Sequence, residues 1–155
     1  MDIRHAKSSD AMLLYELMQS AFKRFEHDAT PAAALNDSLL SIKQQLRRGL
    51  KALIVSEAGQ PVAMSFYTEV GNDCFFSRFS VHPDHQRKGL GKIMLLWLAE
   101  DAKTQGLQTL SCLAREQNLH YYERLGFQVS CLPTEETGLY TLYKPLEQKE
   151  AELCM

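Results

Sequence analysis

The segment Gln86-Arg87-Lys88-Gly89-Leu90-Gly91 constrains the fold more than any other part of this chain. It contains two glycines and lies between a strand-like run at residues 74–81 and a long apolar run that begins at Gly91. Glycines between two such runs are typical of a tight turn. We therefore predict a strand, a turn and a buried helix over residues 91–105, in that order.

A further strand is predicted at residues 107–114, directly after this helix. A strand, helix and strand in succession imply a parallel crossover within one sheet. Turn signals at residues 58–60 and 71–73 imply hairpins, and therefore antiparallel neighbours. The sheet is expected to be mixed.

The whole chain reads β-α-α-β-β-β-α-β-α-β-β, which predicts an α+β fold with a mostly antiparallel sheet flanked by helices. Ser8 and Ser9 offer N-cap hydroxyls for the first helix. We expect one domain over residues 1–146 and a polar tail over residues 147–155. The other helices are predicted at residues 10–25, 36–48 and 117–125, and the other strands at residues 3–7, 51–57, 61–68, 127–132 and 139–144.

Composition narrows the class of protein. The 155 residues are 45% hydrophobic and 23% charged, which is typical of a soluble globular domain. The net charge of −2 shows no basic excess, so no nucleic-acid partner is expected. The N-terminus lacks a signal-peptide pattern, and the longest apolar run, residues 93–99, is too short to cross a bilayer. We therefore expect a cytoplasmic protein without a membrane partner.

Neither the cysteines nor the histidines show metal-site spacing. The four cysteines lack a C-x-x-C pair, which favours reduced and mostly buried thiols. His82 and His85 are three positions apart, but no further ligand lies nearby in the sequence. No metal is expected.

The glycine segment is suited to binding an anion. The first turn of a helix presents backbone N–H groups without intrahelical partners and carries partial positive charge. A glycine allows an anion to approach the backbone closely, and Arg87, Lys88 and Lys92 add full charges. A pyrophosphate fits such a site.

The spacing of the segment excludes two common phosphate motifs. A Walker A loop requires glycine at position 86 and serine or threonine at position 93, where this chain has Gln86 and Ile93. A dinucleotide fingerprint requires glycine or alanine at position 94, where this chain has Met94. The remaining pattern is Q/R-x-x-G-x-G/A.

This pattern resembles the coenzyme A loop of the GNAT superfamily of N-acetyltransferases. Two flanking runs strengthen the resemblance: Phe79-Ser80-Val81-His82-Pro83 is similar to the strand that leads into the loop, and Tyr122-Glu123-Arg124-Leu125-Gly126-Phe127 is similar to the Y-E-x-x-G-F ending. The element order fits as well. The resemblance covers residues 3–144.

The resemblance implies acetyl-CoA as co-substrate. The backbone of residues 79–81 would pair with the pantetheine arm, and the backbone amides of residues 87–92 would hold the pyrophosphate. Asn118 would contact coenzyme A, or else serve as the N-cap of the short helix. The implied cofactor-binding residues are Phe79, Ser80, Val81, Gln86, Arg87, Lys88, Gly89, Leu90, Gly91, Lys92 and Asn118.

For catalysis, the resemblance implies that Tyr122 is the general acid that protonates the departing sulfur. Tyr121 is the alternative, because it is the next residue on the same helix. The backbone N–H near Val81 would stabilise the oxyanion.

The general base is left open. The strand before the loop carries no carboxylate where many relatives have a glutamate, so Glu26, Asp28, Glu69 and Asp73 are candidates from neighbouring loops. Arg78 would bind a substrate carboxylate, or would pair with Glu69 or Asp73.

The resemblance implies an enzyme that moves an acetyl group to a primary amine of a small molecule, a peptide or a protein. A catalytically silent acetyl-CoA-binding sensor or interaction module is the alternative. The acceptor would depend on the loops at residues 27–34, 69–73 and 134–138. The oligomeric state is open, with a homodimer as one alternative.

Overall fold

The computed structural model describes residues 1–22, 37–131 and 138–147. Its element order is the predicted one, and its fold class is α+β. The strands are β1 Asp2–His5, β2 Lys51–Glu57, β3 Gln60–Val70, β4 Asp73–Val81, β5 Thr109–Ala114, β6 Gln128–Cys131 and β7 Tyr140–Pro145. The helices are α1 Ala11–Phe22, α2 Leu39–Arg47, α3 Leu90–Thr104 and α4 Leu119–Arg124, with short 3₁₀ turns at Ser8–Asp10, Pro83–His85 and Glu116–Asn118.

The strands pair in the order β1-β2-β3-β4-β5-β7-β6. The pairs β1/β2, β2/β3, β5/β7 and β6/β7 are antiparallel. β4 and β5 are parallel, with Asp73 opposite Thr109 and Phe75 opposite Ser111. The predicted crossover through α3 is therefore confirmed, because parallel neighbours require a long connection. Among the described residues, no helix has both the length and the apolar content needed to cross a bilayer.

The chain divides into two compact units. The first comprises Met1–Thr68 and Ser77–Met94, and the second comprises Glu69–Phe76 and Leu95–Met155. The single domain predicted over residues 1–146 stays a prediction. Residues 148–155, which are nearly all of the predicted tail, lie outside the described residues.

The core of the first unit lies between two helices and one face of β2 and β3. Alternate strand residues share a sheet face, and helical residues three or four apart share a helix face. The apolar residues follow both periods, so they converge on one cluster. Its buried members are Ala11, Leu14, Leu17, Met18, Ile42, Ala52, Ile54, Met64 and Phe66.

The start of α1 differs from the prediction. Ser8 and Ser9 lie within a 3₁₀ turn, and neither caps the helix. The carboxylate of Asp10 acts as the acceptor instead. Its Oδ2 accepts the N–H of Lys7 at 2.7 Å, and both of its oxygens pair with Arg4, at 2.9 and 3.0 Å. The hydroxyl cap was a wrong prediction, because a carboxylate held by an arginine is the stronger acceptor.

The β2–β3 hairpin has a two-residue turn. Glu57 lies opposite Gln60, and the residues between them, Ala58 and Gly59, have φ of 50° and 79°. Two positive φ values in a two-residue loop are typical of a type I′ turn, which matches the twist of the strands.

The end of α4 is a Schellman motif. The N–H of Phe127 donates to the carbonyl of Tyr122 at 3.1 Å, and the N–H of Gly126 donates to the carbonyl of Glu123 at 3.0 Å. Gly126 has φ of 96°, a left-handed conformation that glycine adopts without a Cβ penalty. The rings of Tyr122 and Phe127 lie 5.5 Å apart and provide the apolar contact of the motif. The geometry of this helix end therefore accounts for the run Tyr122–Phe127 without any catalytic role.

Replacing Gly126 by alanine should destabilise the protein by about 1 kcal/mol, because a Cβ disfavours the left-handed conformation. The new Cβ would also meet Cε of Lys144 at 3.2 Å, but that flexible side chain can move. Urea denaturation of both proteins measures the difference. Gly126→Asn should lose less, because asparagine tolerates this conformation. Equal stability of the alanine variant and wild type would contradict the motif.

The Arg4–Asp10 pair should make stability depend on pH. The guanidinium of Arg4 holds the pKa of Asp10 below its usual value of 3.8. A lowered folded-state pKa contributes stability above the unfolded-state pKa, and this stability is lost as the pH falls through the folded-state pKa. Asp10→Asn should therefore lower the urea midpoint more at pH 7 than at pH below 3.

Arg4→Gln is the matched control for this pair. In the Arg4→Gln background, Asp10→Asn should destabilise the protein less at pH 7 than it does in wild type, because the partner that lowers the pKa is gone. A penalty for Asp10→Asn that stays the same at every pH would contradict the ion pair as its cause.

Candidate active site

The chain turns from β4 into α3 through two left-handed residues. Arg87 has φ of 67° and Gly89 has φ of 80°. A Cβ at Gly89 would meet no heavy atom within 4 Å, so glycine is favoured there by backbone conformation and not by space. Left-handed residues between other conformations turn neighbouring amides toward one concave site, as in anion-binding nests.

The first turn of α3 supplies the donors. The first helical bond runs from the N–H of Ile93 to the carbonyl of Gly89 at 3.1 Å. The amides of Leu90, Gly91 and Lys92 come before this bond, so helix geometry provides them with no acceptor within α3. The predicted helix start is confirmed to within one residue, since α3 begins at Leu90.

The charge around this turn is positive. Arg87, Lys88 and Lys92 are exposed, and the first turn of α3 contains no acidic residue. The positive end of the helix dipole adds to these full charges. The turn and the basic residues together favour a phosphate-bearing anion.

Gln86 connects this turn to the end of β4. Its side-chain Nε2 donates to the carbonyl of Val81 at 3.1 Å. The N–H of His82 donates to Val62 of β3 at 2.7 Å. Because successive residues of an extended chain direct their amides to opposite edges, the N–H of Val81 is directed away from β3.

A strained residue precedes these amides. Arg78 has φ of 53°, a left-handed conformation that costs a non-glycine residue about 1 kcal/mol or more. Its guanidinium pairs with Asp37, with Nε 2.8 Å from Oδ2. The predicted alternative that Arg78 pairs with Glu69 or Asp73 did not include Asp37, and it stays a prediction. Asp37 was missed, because nothing in the sequence connects positions 37 and 78.

The three predicted pantetheine residues lie at the end of β4. Ser80 is 3% exposed, and Phe79 and Val81 are half-buried. The hydroxyl of Ser80 donates to the carbonyl of Arg78 at 2.8 Å. The side chain of Ser80 therefore serves the backbone of its own strand.

The two histidines beside the loop differ in their contacts. Nδ1 of His82 accepts the N–H of Asp84 at 3.2 Å. Nδ1 of His85 is buried without a hydrogen-bond partner among the described residues, and lies 3.6 Å from a carboxylate oxygen of Glu57. In the described parts of the chain, no group of three or more possible ligands is close enough to hold a metal ion.

In the second unit, Tyr122 lies in an aromatic cluster. Its ring centroid is 5.2 Å from that of Tyr121, 5.5 Å from Phe127 and 6.3 Å from Phe76. Burial raises the pKa of Tyr122 well above that of a free phenol, and Cys112 and Tyr121 raise it further. The hydroxyl therefore stays protonated at neutral pH, as a proton donor must.

Tyr121 and Asn118 are placed differently. Tyr121 is half-buried, and burial raises its pKa while Arg124 opposes that shift. Asn118 occupies the N-cap position of α4, but its side chain makes no capping hydrogen bond. The alternative in which Asn118 caps the helix through its side chain is therefore wrong.

The carboxylates predicted as candidate general bases differ in their surroundings. Asp73 accepts the hydroxyl of Thr109 at 2.7 Å and that of Ser111, so it holds β4 against β5. Glu69 is exposed near the end of β3. Glu26 and Asp28 lie outside the described residues.

Two of the four cysteines agree with the prediction of reduced, buried thiols. Cys74 and Cys112 are buried thiols, 3% and 2% exposed. Burial raises the pKa of Cys112 to about 12, so this thiol stays protonated and unreactive at neutral pH.

Comparison with known proteins gives one family. Residues 12–127 match the model of the acetyltransferase (GNAT) family. An L-amino acid N-acyltransferase of Escherichia coli is 28% identical over 149 residues, which cover 84% of this chain and 81% of that protein. An uncharacterised protein of Bacillus subtilis is 28% identical over 94 residues, and this match spans 61% of this chain and 64% of that protein, just under two thirds of its length.

A solved structure has the same fold. The PaiA N-acetyltransferase of Thermoplasma acidophilum, in complex with coenzyme A, superposes with a TM-score of 0.77 at 17% identity, covering 94% of this chain and 99% of that one. The family match includes β4, the turn at residues 86–91 and the helix end at Phe127. The chain belongs to the acetyltransferase (GNAT) family.

Proposed function

We propose that this protein transfers an acetyl group from acetyl-CoA directly to a primary amine of a small molecule or peptide. The observation that carries the proposal is the start of α3, where the amides of Leu90, Gly91 and Lys92 have no acceptor within the helix. A diphosphate would accept these amides and interact with the exposed cations around them. The structural relative from Thermoplasma acidophilum, solved with coenzyme A, supports this choice of ligand.

The end of β4 would hold the rest of the co-substrate. The amide of Val81 is directed away from β3, so it is oriented to bond an extended amide-containing chain such as pantetheine. The N–H of Val81 would donate to the oxygen that becomes negative as the amine attacks. Gln86 supports this arrangement, since it fixes the carbonyl of the same residue.

Tyr122 would donate the proton that the departing sulfur requires. Its raised pKa makes the phenol a weak acid, but a thiolate in a similarly desolvated site is also a stronger base than in water. Close placement offsets the remaining difference. The phenolate left behind would regain its proton from solvent.

The acceptor we favour is the α-amino group of an amino acid or of a protein N-terminus. The support is the likeness to an L-amino acid N-acyltransferase over 84% of this chain. An ammonium has no lone pair, so the acceptor must lose a proton before the attack. Residues 77–81 carry no carboxylate to take it, so we propose that the proton leaves through water.

Gly89→Ala should weaken coenzyme A binding about tenfold, because the left-handed conformation becomes strained. Isothermal titration calorimetry measures the affinity. Gly59→Ala is the matched control: Gly59 has φ of 79° against 80° for Gly89, and both have open space around the Cβ position. The two variants should lose similar stability, but only Gly89→Ala should lose affinity. Equal affinities would contradict the loop as the binding site.

Tyr122→Phe should lower kcat about 100-fold with little change in the KM for acetyl-CoA, because only the proton donor is removed. The phenyl ring keeps the contacts with Phe76 and Phe127. Thiol release from acetyl-CoA, followed with a panel of amino acids, measures the rate. Tyr121→Phe is the control, and should keep kcat within about threefold of wild type.

Two results would contradict parts of the proposal. If Tyr121→Phe is the slow variant, the assignment of the acid is wrong. If wild type binds coenzyme A tightly but releases no thiol with any amine, the protein is the catalytically silent binding domain.

A further inference from the structure

Arg78 has a backbone conformation that its side chain disfavours. Its φ of 53° lies within β4, where neighbouring residues are extended. Glycine usually occupies such a left-handed position at a β-bulge. An arginine there must be held by interactions elsewhere, since the backbone alone would relax to the extended form.

One such interaction comes from the segment before α2. Nε of Arg78 lies 2.8 Å from Oδ2 of Asp37, and Nη2 lies 3.5 Å from Oδ1. The Arg78 and Asp37 side chains are 29% and 12% exposed, so the carboxylate is largely shielded from water. Shielding strengthens a charge-assisted hydrogen bond of this length.

A second interaction comes from within the strand. The hydroxyl of Ser80, in a residue that is 3% exposed, donates to the carbonyl of Arg78 at 2.8 Å. On β3, the buried hydroxyl of Ser65 lies 3.1 Å from the carbonyl of Phe66 and 3.3 Å from that of Ser77, so its one hydrogen is shared between the two strands. The bond from Ser80 stabilises a strand that departs from regular geometry at Arg78.

We propose that Asp37, Arg78 and Ser80 form a lock that keeps β4 in this bent form and so orients the amide of Val81 for the thioester. The inference rests on the proposed function. Asp37 is a positioning residue in this lock, because it acts only through Arg78.

The left-handed conformation of Arg78 can be tested with two substitutions. Arg78→Ala removes the guanidinium but keeps the Cβ strain, so β4 should relax and kcat should fall about 100-fold. Arg78→Gly also removes the guanidinium, but glycine adopts φ near 53° without strain. It should retain about ten times more activity than Arg78→Ala. The KM for acetyl-CoA should change little in either variant.

Two further variants isolate Asp37. Asp37→Asn should lower kcat about tenfold in wild type but cause no further loss in the Arg78→Gly protein, because its partner is then absent. Arg4→Ala removes another arginine–aspartate pair of the same unit, at 2.9 Å, and should leave kcat unchanged. Thermal unfolding of every variant shows that it is folded.

Hydrogen exchange of the amides of residues 79–81 provides a readout that does not need turnover. Exchange should be faster in Arg78→Ala and Asp37→Asn than in Arg78→Gly. Absence of turnover in wild type would end the proposed function but would leave this comparison valid. The lock is overturned if Arg78→Ala matches wild type in kcat and exchange. It is also overturned if Arg78→Gly is as slow as Arg78→Ala, since the guanidinium itself would then be needed.

Discussion

The structure around the candidate site depends on which acceptors the backbone amides bond between the end of β4 and the start of α3. His82 gives its N–H to β3, Ile93 gives its N–H to Gly89, and the amides at the start of the helix are left for another acceptor. Two left-handed residues, Arg87 and Gly89, make this turn possible. Gln86 and the Arg78–Asp37 pair add side-chain contacts to the strand before this turn.

Local rules were enough to predict most of the fold. The bounds of β2 agree with the prediction, and α3 begins one residue early, because periodicity and turn glycines act within a few positions. A turn before α3 was predicted from its glycines, but the left-handed conformation of Arg87 was not. The motif at the end of α4 was found by resemblance, and the structure adds the hydrogen bonds that explain it.

Interactions between distant positions could not be predicted. Arg78 and Asp37 are 41 positions apart, and the sequence offered Glu69 and Asp73 as equally reasonable partners. Asp73 was predicted as a candidate base, and the sequence did not predict that its oxygens accept the hydroxyls of Thr109 and Ser111. At the start of α1, the sequence offered both the hydroxyls of Ser8 and Ser9 and the carboxylate of Asp10 as acceptors for backbone N–H groups. The position of Arg4, which the structure shows, favours the carboxylate. Each of these outcomes depends on tertiary contacts.

The helix end at Tyr122 bears on how such proteins are recognised. Its carbonyl accepts two backbone amides, its ring packs against Phe127, and Gly126 supplies the reversal. These demands concern chain geometry alone, and phenylalanine would meet them as well as tyrosine does. Under the proposed function, a relative without the Tyr122 hydroxyl would keep nearly the same sequence at this helix end. The rest of the motif therefore reports only where a short helix ends, and the phenolic oxygen is a part of the motif that this backbone geometry does not require.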